Sequence, residues 1–475
     1  MRRERVAYLG SSPGIPANRL VSALTRARDA FAIGSARALG RLVRLVKAGE
    51  GASLPGIVSE RLSPGFLRRR AGRLPGGIVV VSGTNGKTTT ASMIRNILRA
   101  EGVEVIGNET GANLRQGIAT ALAEAPRDAC AAVFEVDEAA LGSLIPDLRP
   151  RILVLTNIFR DQMDRFGETE RVSGMLTSAS EHLPVGSRIV ANTDDPMLWH
   201  SVADLAPVGF GVRLMDAVGS VPGRRFPSTE PETCPNCGGR LTYTTRTIVH
   251  LGVARCAACG FRSASPMCVA KVLERHGLRS IDLEVAGAGL TLGTGGIHNA
   301  YNAAAAVATA DLLGIHPARA TRALRSFRPC FGRGEAITVD GETVILALMK
   351  NPSGADALLE EVTGDQRIGS VVVSVNDAEA DGRDISWIWD VDFECLGPDL
   401  PTVPSGTRCD DVAVRLKYAG ARPAPASRDP LAAIRAALSV TPPSRIPVML
   451  ATYTAMLDAR SALYGRADRL HAVSS

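Results

Sequence analysis

A lysine followed by three threonines stands directly after a glycine-bounded turn, in the stretch Gly83-Thr-Asn-Gly-Lys-Thr-Thr-Thr90. The apolar residues before it, Ile78–Val81, predict a buried strand, and the residues from Lys87 onward have helical periodicity. A strand, a tight turn and a helix N-terminus together form a phosphate cradle, because backbone N–H groups point at the anion. The pattern predicts that Lys87 reaches the outer phosphates of a nucleotide and that the Thr88 hydroxyl holds Mg²⁺.

The common form of this loop has a glycine five residues before Gly86, and here that residue is Val81. A strand-to-helix turn that binds no ligand is therefore the alternative. A buried lysine beside a bare helix N-terminus needs an anion, which favours nucleotide binding. The predicted nucleotide-binding residues of the loop are Gly83, Thr84, Asn85, Gly86, Lys87, Thr88 and Thr89.

Three carboxylates follow a second apolar run. Ala131–Phe134 reads as a buried strand and leads into Glu135, Asp137 and Glu138. Carboxylates at the C-terminal end of a sheet strand, facing a phosphate loop, suit Mg²⁺. We predict that Glu135 and Thr88 are the magnesium ligands.

Two cysteine pairs, Cys234-Pro-Asn-Cys237 and Cys256-Ala-Ala-Cys259, stand eighteen residues apart. Paired CxxC turns at this separation are typical of a Cys₄ zinc ribbon, and four thiolates leave no open position for catalysis. The spacing predicts structural Zn²⁺; a redox CxxC is the alternative, although one such motif would suffice for it. The scattered cysteines are expected to be small buried side chains: Cys130, Cys268, Cys330, Cys395 and Cys409.

Strands and helices alternate over residues 76–225, which indicates a parallel sheet, and a second, shorter βαβ series occupies the C-terminal part. The chain has 475 residues, no apolar run of about 20 residues that could span a bilayer, and no signal peptide pattern. The expected location is therefore the cytoplasm. Nine cysteines in such a chain do not indicate a disulfide scaffold.

The N-terminal segment, residues 1–75, is basic, with 15 Lys or Arg residues against 4 Asp or Glu residues. Helical periodicity over residues 17–48 predicts an apolar face that includes Ala27 and Phe31, and Gly34 and Gly40 are expected to bend or break this helix. A basic amphipathic helix either lies on anionic lipid at the inner membrane face or packs on the protein with a solvated side.

Several motifs together resemble the Mur ligase family and the related folylpolyglutamate synthases. They are the loop Gly83–Thr89, the stretch Asn157–Gly167 (NIFRDQMDRFG), Ile189–Pro196, Gly296–Asn302 (GIHNAYN) and Phe331–Glu335 (FGRGE). The resemblance implies that Asn299 and Asn302 lie against the adenine of ATP, and that Arg333 reaches the nucleotide phosphates. An N-cap by Asn299 is the structural alternative, and both roles are compatible.

Within that family the chain most resembles the MurT group, the synthetase subunits of lipid II isoglutaminyl synthases. Three features carry this resemblance: the Cys₄ ribbon inside the central domain, a first segment too short for a nucleotide-sugar-binding domain, and the stretch Asn376–Glu394. The resemblance implies ATP-dependent amidation of the D-glutamate α-carboxyl in the lipid II stem peptide, through an acyl phosphate. It also implies a heterodimer with a glutaminase subunit that supplies ammonia, with Asp384 completing a Cys-His-Asp arrangement in that partner. The alternatives are that Asp384 only caps the helix that begins near Ser386, or that Asp381 or Asp390 is the acting carboxylate.

The expected fold class is α/β. A basic helical segment (1–75) precedes a Mur-ligase-like P-loop central domain (76–330), which contains the zinc ribbon as an insertion (226–275). A smaller Rossmann-like C-terminal domain (331–475) follows. The expected cofactors are ATP, Mg²⁺ and Zn²⁺, and the expected catalytic residues are Lys87 and Asp384.

Two stretches depart from the Mur ligase pattern. Residues 166–190 contain no lysine, whereas Mur ligases carry a carbamylated lysine there for a second metal. Leu346–Pro352 (LALMKNP) replaces the usual Asp-Tyr-Ala-His-Asn-Pro. The second departure fits an acceptor site for ammonia rather than for an amino acid.

Two other functions remain open from the sequence. One is a Mur-type amino-acid ligase or a folylpolyglutamate synthase-like enzyme. The other is a zinc-ribbon protein that binds nucleic acid. The ribbon carries only Arg240, Arg246 and Arg255 between its knuckles and few aromatic residues, so we expect no nucleic-acid partner.

Overall fold

The computed structural model describes residues 19–46, 53–108, 112–159, 169–215, 233–328 and 333–464. The greater part of the Asn157–Gly167 motif, Phe331 and Cys330 lie outside these ranges. Among the described residues, no helix has the length and apolar character needed to cross a membrane.

A nine-stranded sheet forms the centre of the molecule, in the order β11-β10-β9-β6-β5-β4-β1-β3-β2. All neighbours from β2 to β9 are parallel, and β9, β10 and β11 are antiparallel. The strands are β1 (Gly77–Ser82), β2 (Val105–Ile106), β3 (Ala131–Glu135), β4 (Ile152–Leu155), β5 (Arg188–Asn192), β6 (Val208–Leu214), β9 (Cys268–Arg275), β10 (Ile281–Val285) and β11 (Ala288–Leu292).

Helices cover both faces of this sheet. The central helices are α4 (Lys87–Ala100), α5 (Arg115–Glu124), α6 (Glu138–Leu148), α7 (Thr169–Glu181), α8 (Pro196–Val202), α9 (Ile297–Leu312) and α10 (Pro317–Leu324). The residues of strand β1 are apolar without alternation because both faces of the strand are buried. Val79 and Val81 face the core under α4 and α9, whereas Ile78 and Val80 face the core on the other side of the sheet.

Helix α9 packs closely on its neighbours because its sequence is rich in alanine. Ala303, Ala304, Ala305 and Ala306 have no exposed surface, and the helix contacts α4, β6 and β9. Small side chains let helix backbones approach one another. Helix α9 therefore lies directly against the helix that begins at the phosphate loop.

The smaller C-terminal sheet has the order β12-β13-β16-β14-β15, with β12 antiparallel and the other neighbours parallel. Its elements are β12 (Arg333–Val339), β13 (Glu342–Leu348), β14 (Ile368–Ser374), β15 (Thr402–Ser405), β16 (Ile446–Ala451), α11 (Pro352–Gly364), α12 (Cys409–Tyr418), α13 (Pro430–Val440) and α14 (Tyr453–Tyr464). Together the two sheets confirm the expected α/β class.

The remaining strands, β7 (Leu241–Ile248) and β8 (Leu251–Cys256), form a separate hairpin that carries both cysteine pairs at its open end. Of the segment expected as an insertion, residues 226–275, Cys268–Arg275 is strand β9 of the central sheet. The hairpin thus branches from the main sheet between β6 and β9.

The basic N-terminal segment forms α1 (Arg19–Val46), α2 (Leu54–Leu62) and α3 (Phe66–Ala71). Gly34 and Gly40 do not break the first helix, because α1 is continuous from Arg19 to Val46. The expected apolar face is also wrong: Phe31 is 66% exposed, whereas the buried face presents Asp29, Ala32 and Ala36.

Tertiary contacts with polar groups explain this choice of face. Asp29 accepts hydrogen bonds from Arg69 at 2.7 Å and from Ser63 at 2.8 Å. Burial raises the pKa of Asp29, but the bonds from Arg69 and Ser63 outweigh it, so the pKa lies below its usual value. Arg37 donates to the carbonyls of Ala123 and Ala125, at the C-terminal end of α5.

Candidate active site

The turn between β1 and α4 needs glycine at both of its ends. Gly83 has φ +118° and Gly86 has φ +84°, which are conformations that other residues rarely adopt. A Cβ atom at Gly83 would overlap the hydroxyl of Thr156, and one at Gly86 would overlap the amide oxygen of Asn302. The two glycines therefore let the loop lie directly against its neighbours.

Asn157, at the end of β4, supports the loop. Its Oδ1 accepts a hydrogen bond from the Asn85 backbone N–H at 2.8 Å, and its Nδ2 donates to the Asn85 carbonyl at 3.1 Å. The Asn157 carbonyl accepts from the Thr84 N–H at 2.9 Å. The Thr156 hydroxyl adds a bond to the Asn85 carbonyl at 2.7 Å. These contacts fix the backbone of the loop.

Lys87 begins α4, and its ammonium group lies inside the loop. Its Nζ donates to the carbonyls of Gly83 and Thr84 at 2.6 and 3.1 Å, and to Glu138 Oε2 at 3.2 Å. Burial raises the pKa of Glu138, and the charge of Lys87 opposes this effect. The sequence marked Glu138 as one of three clustered carboxylates, but its role as the partner of the lysine was not predicted.

Thr88 and Glu135 lie side by side, as a shared cation would require. The Thr88 hydroxyl donates to Glu135 Oε2 at 2.6 Å. Asn108 fixes the backbone at Glu135 by accepting from its N–H at 2.9 Å and donating to its carbonyl at 2.7 Å. A hydroxyl and a carboxylate oxygen are hard ligands that suit Mg²⁺. The third carboxylate, Asp137, instead caps α6 by accepting from the Ala139 N–H.

An anion also fits this place. The N-cap of helix α4 is Gly86, which has no side chain to cap the first turn. A lysine and the positive end of a helix dipole therefore meet at one point. The residues present fit a nucleotide phosphate with Mg²⁺.

Asn299 and Asn302 lie at the start of α9 beside the loop, and both are buried. Asn302 donates to Asn299 Oδ1 at 3.0 Å and accepts from the Thr90 hydroxyl at 3.1 Å, which ties α9 to α4. The alternative that Asn299 is the N-cap of this helix is wrong, because the N-cap is Gly296. The Asn299 amide instead donates to the Gly295 carbonyl at 2.6 Å.

The C-terminal domain contacts the phosphate loop directly. Asn351 Nδ2 donates to Asn85 Oδ1 at 3.1 Å, and Asn85 Nδ2 returns a bond to Asn351 Oδ1 at 3.4 Å. Asn351 is also the N-cap of α11, through a bond from the Gly354 N–H. Arg333 begins β12 and pairs through its backbone with Ala347; its side chain is outside the described part of the chain.

A second contact between the domains lies at the other end of α11. Arg275 of β9 donates to Glu361 at 2.7 Å and to Glu360 at 3.1 Å. The Glu361 carboxylate also accepts from the Ile297 N–H, at the start of α9, at 3.3 Å. Burial raises the pKa of Glu361 to about 7, against the opposing charge of Arg275.

The four ribbon cysteines converge. Their sulfur atoms lie within 4.8 Å of one another, and the Sγ–Sγ distances are 3.6 Å for Cys234–Cys259 and for Cys237–Cys256. A tetrahedral zinc site with Zn–S bonds of about 2.3 Å has sulfur–sulfur distances of about 3.8 Å. The donor set therefore fits Zn²⁺.

Both knuckles have the same backbone geometry. The carbonyl of the first cysteine in each pair, Cys234 or Cys256, accepts from the N–H four residues later, at Gly238 or Gly260. Both glycines have positive φ, which lets the chain turn back after the second cysteine. The two turns therefore present their sulfur atoms in matching orientations.

The other end of the hairpin is joined to α9 through buried polar groups. The Tyr301 hydroxyl donates to Asp194 Oδ2 at 2.9 Å and lies 2.5 Å from the Thr247 hydroxyl of β7. The Gly252 N–H donates to the Asp194 carbonyl at 2.7 Å. The ribbon is therefore anchored to the helix that packs against α4.

Asp384 is exposed on the C-terminal domain, after the turn at Gly382. Its Oδ1 accepts a bond from the Ser386 N–H at 2.8 Å, and this bond lowers the pKa of the carboxyl. Asp381 differs, because it is buried and accepts from the Thr454 N–H at 2.8 Å. A carboxylate available at the surface is thus found at Asp384.

An exposed aromatic pair follows Asp384. Trp389 is 51% exposed and packs edge-on against Tyr418, which is 76% exposed, with ring centroids 5.6 Å apart. Val414, on α12, is also exposed. We call Trp389, Tyr418 and Val414 the aromatic patch. Trp387, in contrast, is partly buried and packs against the core of the C-terminal domain.

Comparison with known proteins agrees with this geometry. Residues 81–213 match the Mur ligase middle domain, and residues 348–456 match the MurT ligase C-terminal domain. Subunit MurT of the lipid II isoglutaminyl synthase (glutamine-hydrolyzing) of Streptococcus pneumoniae is 34% identical over 429 residues, covering 89% of this chain and 94% of that protein. The chain belongs to the MurT family of Mur ligases. The corresponding subunit of Staphylococcus aureus (strain COL) is 31% identical over 382 residues, covering 78% of this chain and 83% of that protein.

Solved structures share the fold of this MurT-family chain. A pseudomurein peptide ligase type C from Methanothermus fervidus has a TM-score of 0.65 at 24% identity, covering 82% of this chain and 78% of that one. MurF from Acinetobacter baumannii has a TM-score of 0.62 at 16% identity, with 85% and 80% covered. The expected Mur-ligase-like fold and the family resemblance are both confirmed.

Proposed function

We propose that this MurT-family chain is the synthetase subunit of a two-protein enzyme that amidates the D-glutamate α-carboxyl of lipid II. The observation that carries the proposal is the Lys87 loop beside the Thr88–Glu135 pair, in a chain whose residues 348–456 match the MurT ligase C-terminal domain. The relatives named above are subunits of a lipid II isoglutaminyl synthase, which supports the choice of substrate. Mur ligases are ATP-dependent enzymes that use Mg²⁺.

The first step is phosphoryl transfer from ATP. The substrate carboxylate forms a bond to the γ-phosphorus while the bond from that phosphorus to the β,γ-bridging oxygen breaks, giving an acyl phosphate and ADP. Lys87 neutralises charge on the transferring group. Thr88 and Glu135 would hold Mg²⁺, which would supply further positive charge there. The remaining loop residues position the nucleotide through backbone N–H groups.

Ammonia then attacks the acyl carbon and displaces phosphate, which leaves the primary amide of D-isoglutamine. The stretch Leu346–Pro352 supports ammonia as the nucleophile. It lacks the Asp-Tyr-Ala-His pattern, and Asn351 bonds to the phosphate loop. Asn299 and Asn302 hold the start of α9 beside α4, where we place the adenine. Zn²⁺ bound by the four cysteines has a structural role only.

Asp384 is proposed to act on a glutaminase partner. Its carboxylate is exposed, and a low pKa keeps it ionised at neutral pH. An ionised carboxylate facing the histidine of a Cys-His pair fixes the tautomer of that histidine and stabilises its charge. The neighbouring aromatic patch is the proposed contact surface.

Reconstitution tests both parts. The chain with a glutaminase subunit, lipid II, ATP and glutamine should form D-isoglutamine and ADP together. Asp384→Asn should lose glutamine-dependent amidation while keeping the complex and the amidation driven by added ammonium. Asp390→Asn is the matched control and should behave as wild type. If the chain instead consumes ATP with a free amino acid and no partner, it is an amino-acid ligase and the proposal is wrong.

We also propose peripheral contact with the inner face of the membrane that holds the substrate. The segment 1–75 is basic, and Phe31 of α1 is exposed. Such a surface attracts anionic lipid within a Debye length. Binding to phosphatidylglycerol vesicles should weaken with salt and with Phe31→Asp. If the intact chain does not bind such vesicles at low salt, the proposal is wrong and α1 only packs against the rest of the protein.

A further inference from the structure

Lys350 stands where the C-terminal domain meets the phosphate loop. It follows β13 and directly precedes Asn351, whose amide exchanges two hydrogen bonds with Asn85 of the loop. Asn351 is fixed in turn as the N-cap of α11. The backbone of Lys350 is therefore held one residue away from a direct contact with the loop, although it belongs to another domain.

The charge of Lys350 acts on the same carboxylate as that of Lys87. Burial raises the pKa of Glu138, and Lys87 and then Lys350 lower it. The two lysines differ in their surroundings, because Lys87 is buried among loop carbonyls, whereas Lys350 is exposed. Within residues 333–464, the other lysine of the C-terminal domain is Lys417, on α12.

Phosphoryl transfer places negative charge where the loop alone cannot stabilise it. The loop and Lys87 approach the phosphates from the central domain. As the bond to the β,γ-bridging oxygen breaks, negative charge spreads over the oxygens of the transferring group, including those that face away from the loop. A cation that approaches from the C-terminal domain would stabilise that charge and would also attract the incoming carboxylate.

We propose that Lys350 is this cation: the C-terminal domain, seated on the loop by the Asn351–Asn85 amide pair, places its ammonium group against the phosphoryl group in transfer. The inference rests on the proposed acyl-phosphate chemistry and adds a residue to it. The contribution of Lys350 is electrostatic. Its contact forms with the transferring group and not with the ADP portion of the nucleotide.

A transition-state mimic tests this without any turnover. ADP with Mg²⁺ and aluminium fluoride imitates the phosphoryl group in transfer, whereas ADP with Mg²⁺ alone lacks it. Lys350→Met should bind the aluminium fluoride complex at least tenfold more weakly than wild type and bind ADP–Mg²⁺ equally well. Lys350→Arg should recover most of the difference. Lys271→Met, which removes an exposed lysine paired with Glu284, is the control and should match wild type in both measurements.

Turnover gives the second measurement. In the reconstituted complex, Lys350→Met should lower kcat about a hundredfold with little change in KM for ATP, since a transition-state contact is lost. The proposal is overturned if Lys350→Met binds both complexes as wild type does, or if it weakens ADP–Mg²⁺ equally. Absence of lipid II amidation by the wild-type complex would refute the proposed function and leave the aluminium fluoride result to decide the role of Lys350.

Discussion

At the scale of single residues, the phosphate loop depends on short polar side chains that fix one another. Asn157 holds the loop backbone on one side, and Asn351 holds Asn85 on the other. Thr88 and Glu135 are already in hydrogen-bond contact at 2.6 Å. A metal that binds between phosphate and these oxygens therefore meets ligands whose positions are set in advance, which lowers the cost of ordering them.

Removal of the Thr88 hydroxyl tests that arrangement. In Thr88→Ala, Mg²⁺ loses one ligand, so we expect the Mg²⁺ concentration for half-maximal ATP turnover to rise about tenfold, equivalent to roughly 1.4 kcal/mol. Titration of turnover with Mg²⁺ at saturating ATP measures this. Thr88→Ser keeps the hydroxyl and should stay close to wild type. An unchanged Mg²⁺ dependence in Thr88→Ala would remove this residue from the metal site.

Local patterns explain why much of this site could be predicted from sequence. The strand, the two glycines and Lys87 lie within ten residues, and the cysteine pairs carry their own spacing. The Asn85–Asn351 and Lys87–Glu138 contacts could not be found in this way, since they join residues far apart in the chain whose types have many other uses. The prediction of the buried face of α1 was wrong for a related reason. Asp29 is buried in place of Phe31 because Arg69 and Ser63, which are distant in sequence, donate hydrogen bonds to it.

At the scale of elements, α11 connects the two domains through both of its ends. Its first turn contacts the phosphate loop through Asn351, and Glu361 near its other end contacts Arg275 and the start of α9. A helix is stiff along its axis, so movement at one end shifts the other. The charge on Glu361 therefore bears on how firmly the domains are joined.

Glu361 makes stability depend on pH in a defined direction. Its pKa in the folded chain is about 7, above the ordinary value of 4.5, because burial outweighs the charge of Arg275. Between these values the folded form keeps a proton that the unfolded form has released, so stability falls as the pH rises from about 5 to about 8. In Glu361→Gln this loss, about 1 to 3 kcal/mol, should be absent.

Urea unfolding at pH 5 and pH 8 gives the free energy of unfolding at each pH, and the change between the two is compared between wild type and Glu361→Gln. Glu360→Gln removes a neighbouring negative charge that helps to raise the pKa of Glu361, so this variant should show a weaker pH dependence than the wild type but should not lose it. If wild type and Glu361→Gln respond to pH in the same way, the carboxyl does not titrate in this range.

The ribbon hairpin is the second element with a testable requirement. Purified protein should contain about one Zn²⁺ per chain, because four converging sulfurs form one closed site. The double variant Cys237→Ser/Cys259→Ser should lose the metal, and protease should then cut within residues 233–263. Cys130→Ser, remote from the cluster in sequence, should keep both. A wild type without metal that resists protease equally well would show that the knuckles do not need zinc.

At the scale of the whole molecule, the proposed activities lie on different domains. The phosphate loop belongs to the central domain, whereas Asp384 and the aromatic patch belong to the C-terminal domain. Large aromatic side chains with half or more of their surface exposed are unusual on a protein without a partner there. A two-protein enzyme would thus hold ATP mainly on the central domain and bind its partner on the C-terminal domain.

Truncation of the patch should weaken the complex with the glutaminase subunit. Trp389→Ala removes a large aromatic anchor and should raise the Kd by about thirtyfold, equivalent to roughly 2 kcal/mol. Val440→Ala removes an exposed apolar side chain elsewhere on the same domain and should have little effect. Calorimetric titration of the two proteins gives both values. Equal affinity of the three forms would place the partner on another surface.

The alanines of α9 limit which substitutions this chain can accept. The four buried methyl groups from Ala303 to Ala306 leave no space between the helix and its neighbours, one of which carries Lys87 and Thr88. A single added methylene there would displace the neighbouring helix, and with it Lys87 and Thr88, although the substituted residue does not contact the nucleotide. Sequence change should therefore be rare at these four positions.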